Sequence, residues 1–594
     1  MDKIKVWKRT AALVVAAGLA FSTAACDFSG GAGLGGLQSG ISFGEPSSSR
    51  VSHSEGASSS HSVGVSDSSS VFYGAGGNTS SSGEESIFQN SNEEYSSNKE
   101  SISENGSAHG SSLESSSEEE QKVFLNVAIA ETGYGYKWLE EMVKGYEEAN
   151  SDVAIIPTVI HNSQQFLQGL QYGQSEYDLA FGVFDFKQLY STGVLPLADI
   201  SDVYADIGAK LNPIVYEWYN FDGRYYALPY AQATMGIVYH ADKFEQYQLQ
   251  VPRTTNELLK LVDEIHYKTG IAPIGGCSQV NYWEYLFNAW FAQYDFEAYQ
   301  RYWQGKDENN NPATADIANQ MGVFRTLELY EKLMTRDNLE HNFVANDFTQ
   351  AQVKFLMGET FMMAEGEWLV NEASDIIEQI HRVNGYDANE SIAMMKMPVL
   401  SAMVENLSFY QNDGRDYDAV LAAIIDYVDG VTDVKPVIVE GCSITDEDIA
   451  RVAKARSITP SLFGRMNAAI PQASKKADIA KDFLRYLYSE EGIEIYRQSL
   501  NGLQLPLKDE FLTSLDGTET QWVKSLNACR ENAEITGVNT LPAQSLLFWK
   551  GGLTPTYGIN NVTMKFFNGA TAADVFSEVI DRVAANWERI SGIE

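Results

Sequence analysis

Cysteine is scarce in this chain, with four residues among 594 and none in a Cys-x-x-Cys pair. The eight histidines are scattered. These shortages argue against a disulfide framework and against a zinc site of ordinary spacing. Basic charge is short as well: 42 Lys and Arg face 80 Asp and Glu, for a net charge of −38. Nucleic-acid binding needs cationic surface that displaces counterions, so that class is disfavoured. Anionic lipid headgroups would repel such a body, and residence at a membrane then calls for a covalent anchor. No segment after the N-terminal region reads as a transmembrane helix. The one Gly-x-Ser-x-Gly match, Gly40-Ile-Ser-Phe-Gly44, lies in the Ser/Gly-rich stretch rather than between a strand and a helix, and the chain has no His-Glu-x-x-His and no Walker loop. What remains is 44% hydrophobic content and 12% aromatic, enough for a large core. Length alone corresponds to about three or four domains.

The N-terminus carries Lys3, Lys5, Lys8 and Arg9, then an apolar stretch from Ala11 to Phe21. That stretch is too short to span a bilayer and has the three-part form of an export signal. Thr23-Ala24-Ala25-Cys26 resembles a bacterial lipobox, in which the cysteine thiol is acylated after cleavage. Residues 1–25 are therefore expected to be a lipoprotein signal peptide. Cys26 is then expected to be the lipidation site, with the protein held at the extracellular face of the cell membrane through an N-terminal lipid. Thr23 stands where lipoboxes usually carry leucine. The alternative is an ordinary signal cut near Ala25. With Cys26 lipidated, Cys277, Cys442 and Cys529 remain, read as buried and reduced rather than as one disulfide plus a free thiol. Residues 26–121 are rich in Ser, Gly, Asn and Glu. They cannot bury enough surface to offset chain entropy and are expected to form a disordered tether. A flexible coil of about 95 residues spans on the order of 55 Å.

Order is expected from Lys122. Val123–Ala130 has the pattern of a buried strand, and the next helix gathers Trp138, Leu139, Met142, Val143 and Tyr146 on one side. Val153–Ile156 and Asp178–Val183 read as strands, and Ser163–Gln171 as a helix with Phe166, Leu167 and Leu170 apolar. Strands alternating with helices predict an α/β fold with a mostly parallel sheet. Ligands in such sheets lie beyond the carboxyl ends of the strands, which marks the loops Glu131–Tyr136 and Phe184–Phe186.

Tyr225-Tyr-Ala-Leu-Pro-Tyr-Ala-Gln-Ala-Thr-Met-Gly-Ile-Val-Tyr-His-Ala-Asp-Lys-Phe244 and Val251-Pro-Arg-Thr-Thr-Asn-Glu-Leu258 resemble the extracellular solute-binding proteins of ABC importers, family 1, which are maltose-binding-protein-like. Gly358–Trp368, Ala468-Ala-Ile-Pro471 with Lys481–Gly492, and Tyr557–Trp587 match further blocks in order. The resemblance implies a two-lobe, type II periplasmic-binding-protein-like fold with a hinge of crossing strands, preceded by the tether. Lobe one would comprise residues 122–229 and about 464–505. Lobe two would comprise about 230–463 and 506–594, with the terminal helices. It also implies a carbohydrate ligand, ABC permease transmembrane subunits as partners, a monomer, and no cofactor or catalysis. Between Met397 and Thr459 the chain is longer than compact members, and reads as a helix (Tyr417–Val428) plus a helix start at Thr445.

A sugar offers hydroxyls and apolar C–H faces, so its site needs carboxylates or amides beside flat rings. Asp185 matches an acidic residue that the family uses on sugar hydroxyls, with a helix N-cap as the alternative. Tyr134 and Tyr136 flank Gly135 in the first post-strand loop, where they are either ligand contacts or exposed turn residues. Trp368 matches the family's stacking tryptophan, at the end of a strand, with core packing as the alternative. Glu367 beside it would face the other way on a strand. Of Tyr282 and Trp283, one is expected in the cleft and the other in lobe two. Tyr230, Gln232 and Asn467 read as structural hinge residues. The maltose-binding members carry a cleft glutamate where this chain has Ala233, and a tryptophan where it has Gly182, which argues against a maltose-type ligand. The competing classes are a tethered glycan-degrading enzyme using paired carboxylates and a stalked adhesin.

Overall fold

The computed structural model describes residues 122–592, apart from positions 131, 161–175, 184–196, 279–280, 463, 465, 501, 512–518, 532, 538–546, 548–551, 558 and 560. The signal peptide, Cys26, the tether, the helix read at Ser163–Gln171 and Asp185 lie outside the described residues. Two main sheets organise the rest. The first has the order β2-β1-β3-β9-β4, from β1 (Val123–Ala130), β2 (Val153–Ile160), β3 (Leu179–Val183), β4 (Leu228–Pro229) and β9 (Met466–Ala469). β1 runs parallel to both β2 and β3, whereas β9 is antiparallel to β3 and β4. The C-terminal half of β1 is buried, as expected of a strand lying between two parallel neighbours. The helix Lys137–Ala149 buries the same five residues that its periodicity marks. Trp138 from it stacks on Tyr230 at 5.7 Å and meets Phe181 edge-on at 5.3 Å.

The second sheet has the order β6-β7-β5-β8, from β5 (Met235–His240), β6 (Ala272–Gly275), β7 (Thr360–Gly366) and β8 (Ile392–Met395). β7 is buried along its whole length. Three segments run between the sheets and are tied side by side. The Tyr230 N–H donates to Met466 O at 3.0 Å, Gln232 N–H to Gln504 O at 3.1 Å, and Leu462 N–H to Ala233 O at 2.9 Å. The Ser461 hydroxyl donates to Gln232 O at 2.6 Å. These bonds form the hinge of crossing strands. After the third crossing, the helix Gln521–Arg530 docks on β8, where the Met394 N–H donates to Ser525 Oγ at 2.9 Å.

The longer region forms a cluster of its own around Phe409, Tyr417, Leu421, Ile424 and Val452. Its helices span Asp418–Val428 and Asp446–Ser457, and the second opens on a capping box between Thr445 and Asp448. Cys277, Cys442 and Cys529 are buried and form no disulfide. Among the described residues no helix is long and apolar enough to cross a membrane.

Candidate functional site

The loop after β1 and the turn after β7 meet where the crossing segments join the sheets. Gly135, at φ +62°, lets the first loop turn back, with its N–H donating to Thr132 O at 2.8 Å. Tyr134 is thereby aimed across to the second sheet, and its hydroxyl donates to Glu367 Oε1 at 3.1 Å. The same oxygen accepts the Ala233 N–H at 3.0 Å. Glu367 Oε2 accepts from Arg530, and the two side chains are 0% and 1% exposed. Arg530 also donates to Gly502 O at 2.7 Å and to Thr234 Oγ1 at 3.4 Å. The Glu367 N–H closes the knot on Thr234 O at 2.9 Å. One buried ion pair thus holds the first and third crossing segments and the loop after β1.

Glu367 lies past the end of the strand, with its carboxylate turned into the fold. β7 ends at Gly366, so strand alternation does not govern Glu367, and both its oxygens already have protein partners inside the fold. Trp368 likewise lies past the strand end, in helical conformation ahead of the short helix Leu369–Glu372. Its indole packs against two glycines. A Cβ on Gly133 would lie 2.6 Å from Trp368 Cδ1, and a Cβ on Gly366 would fall against the six-membered ring. The Tyr134 ring lies 5.9 Å from the indole, and the Tyr282 ring meets it edge-on at 6.0 Å. Only 3% of Trp368 is exposed.

Tyr282 also touches Phe348 at 5.0 Å, whereas Trp283 turns inward. The Trp283 indole N–H donates to Gly275 O at 3.0 Å, and its carbonyl oxygen accepts from the Tyr330 hydroxyl. Tyr282 is therefore the member of that pair that joins Trp368, whereas Trp283 packs into the core. Tyr136 is half-buried and opens the helix Lys137–Ala149. Asn467 is engaged by Tyr219 at 2.5 Å and Gly464 O at 2.9 Å, and Tyr230 by Met466 Sδ at 3.6 Å.

Sequence reasoning missed Arg530 and a second polar knot behind Trp368. Gln352 Nε2 donates to Glu365 Oε2 at 3.3 Å and to Glu372 Oε2 at 2.7 Å. Burial, and then the neighbouring Glu372 charge, push the Glu365 carboxyl well above the usual carboxylate range. Burial pushes Glu372 up to about 7. An acidic residue on the otherwise apolar strand Thr360–Gly366 was the available signal for this pair. A cavity of about 450 Å³ opens elsewhere, lined among others by Tyr294, Arg301, Lys306, Asp316 and Gln320. Its lining comes from one side of the crossing segments alone and includes none of the candidate residues.

Residues 130–494 match the bacterial extracellular solute-binding protein family, more than half of the chain. The chain belongs to that family. No curated protein sequence matches it. Among solved structures, the GacH receptor of Streptomyces glaucescens shares the fold at 15% identity and a TM-score of 0.52, with 79% of this chain and 99% of that chain covered. RafE in complex with raffinose aligns at 15% identity and a TM-score of 0.49, covering 79% and 100%. A chitin oligosaccharide binding protein aligns at 17% identity and a TM-score of 0.46, covering 78% and 100%. The mixed α/β architecture is that of the periplasmic sugar-binding proteins.

Proposed function

We propose that this chain is a lipid-tethered extracellular receptor that captures an oligosaccharide between two lobes and delivers it to an ABC-type permease, without altering it chemically. The lobes are residues 122–229 with about 464–505, and about 230–463 with 506–594. The observation that carries the reading is the convergence of Tyr134, Tyr282 and Trp368. They come from three distant segments and meet beside the crossing strands of a solute-binding fold. Flat rings stack on sugar C–H faces, and contacts from both lobes favour closure through differential affinity. Asp185 and Tyr136 belong to the proposed site as hydroxyl partners. The GacH receptor has been solved with acarbose, which is consistent with an oligosaccharide. Cys26 supplies the anchor and the Ser-rich segment the reach.

The test is a thermal-shift screen over mono- and oligosaccharides, with product analysis of every hit. A binder of the native state raises the melting temperature in proportion to its occupancy. One-to-one binding without product is the expected result. If no saccharide shifts the transition, or if cleaved product accumulates, the receptor reading fails.

A further inference from the structure

The geometry points to a latch: the Tyr134–Glu367 hydrogen bond helps hold the two sheets together in a conformation that buries Trp368. The inference deepens the receptor reading and rests on Trp368 being its stacking surface. Three donors serve the Glu367 carboxylate among the described residues. Ala233 belongs to the crossing segment and Arg530 to the helix docked on β8, so these two fix the carboxylate from the second sheet's side. Tyr134 comes from the loop after β1 of the first sheet. Removing its hydroxyl leaves Glu367 anchored and cuts the bond that ties the post-β1 loop to the second sheet.

The same loop does the covering. Gly133, next to Tyr134, lies against the five-membered ring of the indole, and Gly366 lies against its six-membered ring. Tyr134 and Tyr282 pack beside it. A sugar that stacks on Trp368 must first take a face from this packing, which requires the post-β1 loop to withdraw and the Tyr134–Glu367 bond to break. A hydrogen bond from a buried hydroxyl to a carboxylate is among the stronger neutral-to-charged contacts. Apparent affinity then falls with the fraction of molecules whose latch is open.

The test is a spin-label distance measurement on the full-length chain. One label goes at Lys144→Cys, exposed on the helix after β1, and one at Glu378→Cys, exposed on the helix after β7. Cys277, Cys442 and Cys529 are buried, and Cys26→Ser keeps the N-terminus unlabelled. With no sugar added, the parent should show one dominant short separation. Tyr134→Phe should raise the population at longer separation by about tenfold or more, the scale of one charge-assisted hydrogen bond. Gly133→Ala, whose Cβ would collide with Trp368, should move the distribution the same way. Identical distributions in the parent and both variants overturn the latch, even if a variant melts earlier. A parent already spread over long separations overturns it as well. Titration with acarbose is the separate arm. A latch predicts tighter apparent binding in Tyr134→Phe, while a purely ligand-touching Tyr134 predicts weaker binding. Failure of acarbose and the whole saccharide panel to bind any variant would count against the receptor reading, and the spin-label result would still decide the latch.

Discussion

Replacing Arg530 by methionine should destabilise this protein as much as deleting a large core side chain. The guanidinium is 1% exposed and faces a Glu367 carboxylate that is fully buried. Its removal leaves that carboxylate with two neutral donors, the Tyr134 hydroxyl at 3.1 Å and the Ala233 N–H at 3.0 Å. Gly502 O, held at 2.7 Å, also loses its partner. Breaking one side of a buried pair typically costs about 3–5 kcal/mol, because the remaining charge is uncompensated. Replacing both partners by apolar residues removes that charge and is often close to neutral. The double variant Glu367→Leu/Arg530→Met should therefore be less destabilised than the two single changes summed, by about 1–3 kcal/mol. Urea unfolding of the full chain at pH 7, followed by circular dichroism, measures all four corners of the cycle. If Arg530→Met stays within about 0.5 kcal/mol of the parent, as surface substitutions do, the hub assignment is wrong. Loss of saccharide affinity in Glu367→Gln with unchanged stability would return Glu367 to the ligand instead.

Trp368→Ala should destabilise by about 3–5 kcal/mol, as a buried tryptophan does. In protein kept folded, calorimetry should also show saccharide binding weakened by about 1–3 kcal/mol. Unchanged affinity would remove Trp368 from the site. Glu365→Gln should flatten the pH dependence of stability. Glu365 and Glu372 are both raised in the folded state, mainly by burial. The unfolded chain releases their protons first, so their contribution is fully present in acid. It is lost as pH rises from the ordinary carboxylate range through Glu372's value of about 7. The parent's melting temperature should fall between pH 5 and pH 8, and the variant's should fall less; parallel curves would refute the assignment. Thr445→Ala removes a capping box and should cost about 1 kcal/mol, read as faster hydrogen exchange across Asp446–Ser457.

Much of the fold was legible because its signals are local. The five apolar residues of Lys137–Ala149 recur at helical spacing and are the five buried. Thr445 and Asp448 lie three apart and close their box within one turn. The crossing at Tyr230–Thr234 follows from the block Tyr225–Phe244, whose proline and alternating apolar residues give β4 and β5. The candidate site was legible only in part. The residues Gly366-Glu-Trp368 read as a strand end, but pairing stops at Gly366, and a strand end is decided by the neighbouring strand rather than by its own residues.

The chain's order of elements, its family and its aromatic candidates were already determined by the amino-acid sequence, because spacing and capping act over a few residues. Tertiary structure alone decided which candidates meet and what they do. Tyr134 reaches Glu367 across 233 positions, and Arg530 reaches it across 163. A carboxylate looks the same in sequence whether it binds a ligand or an arginine. Burial beside a specific cation is what separates the two, and only folding brings that cation there.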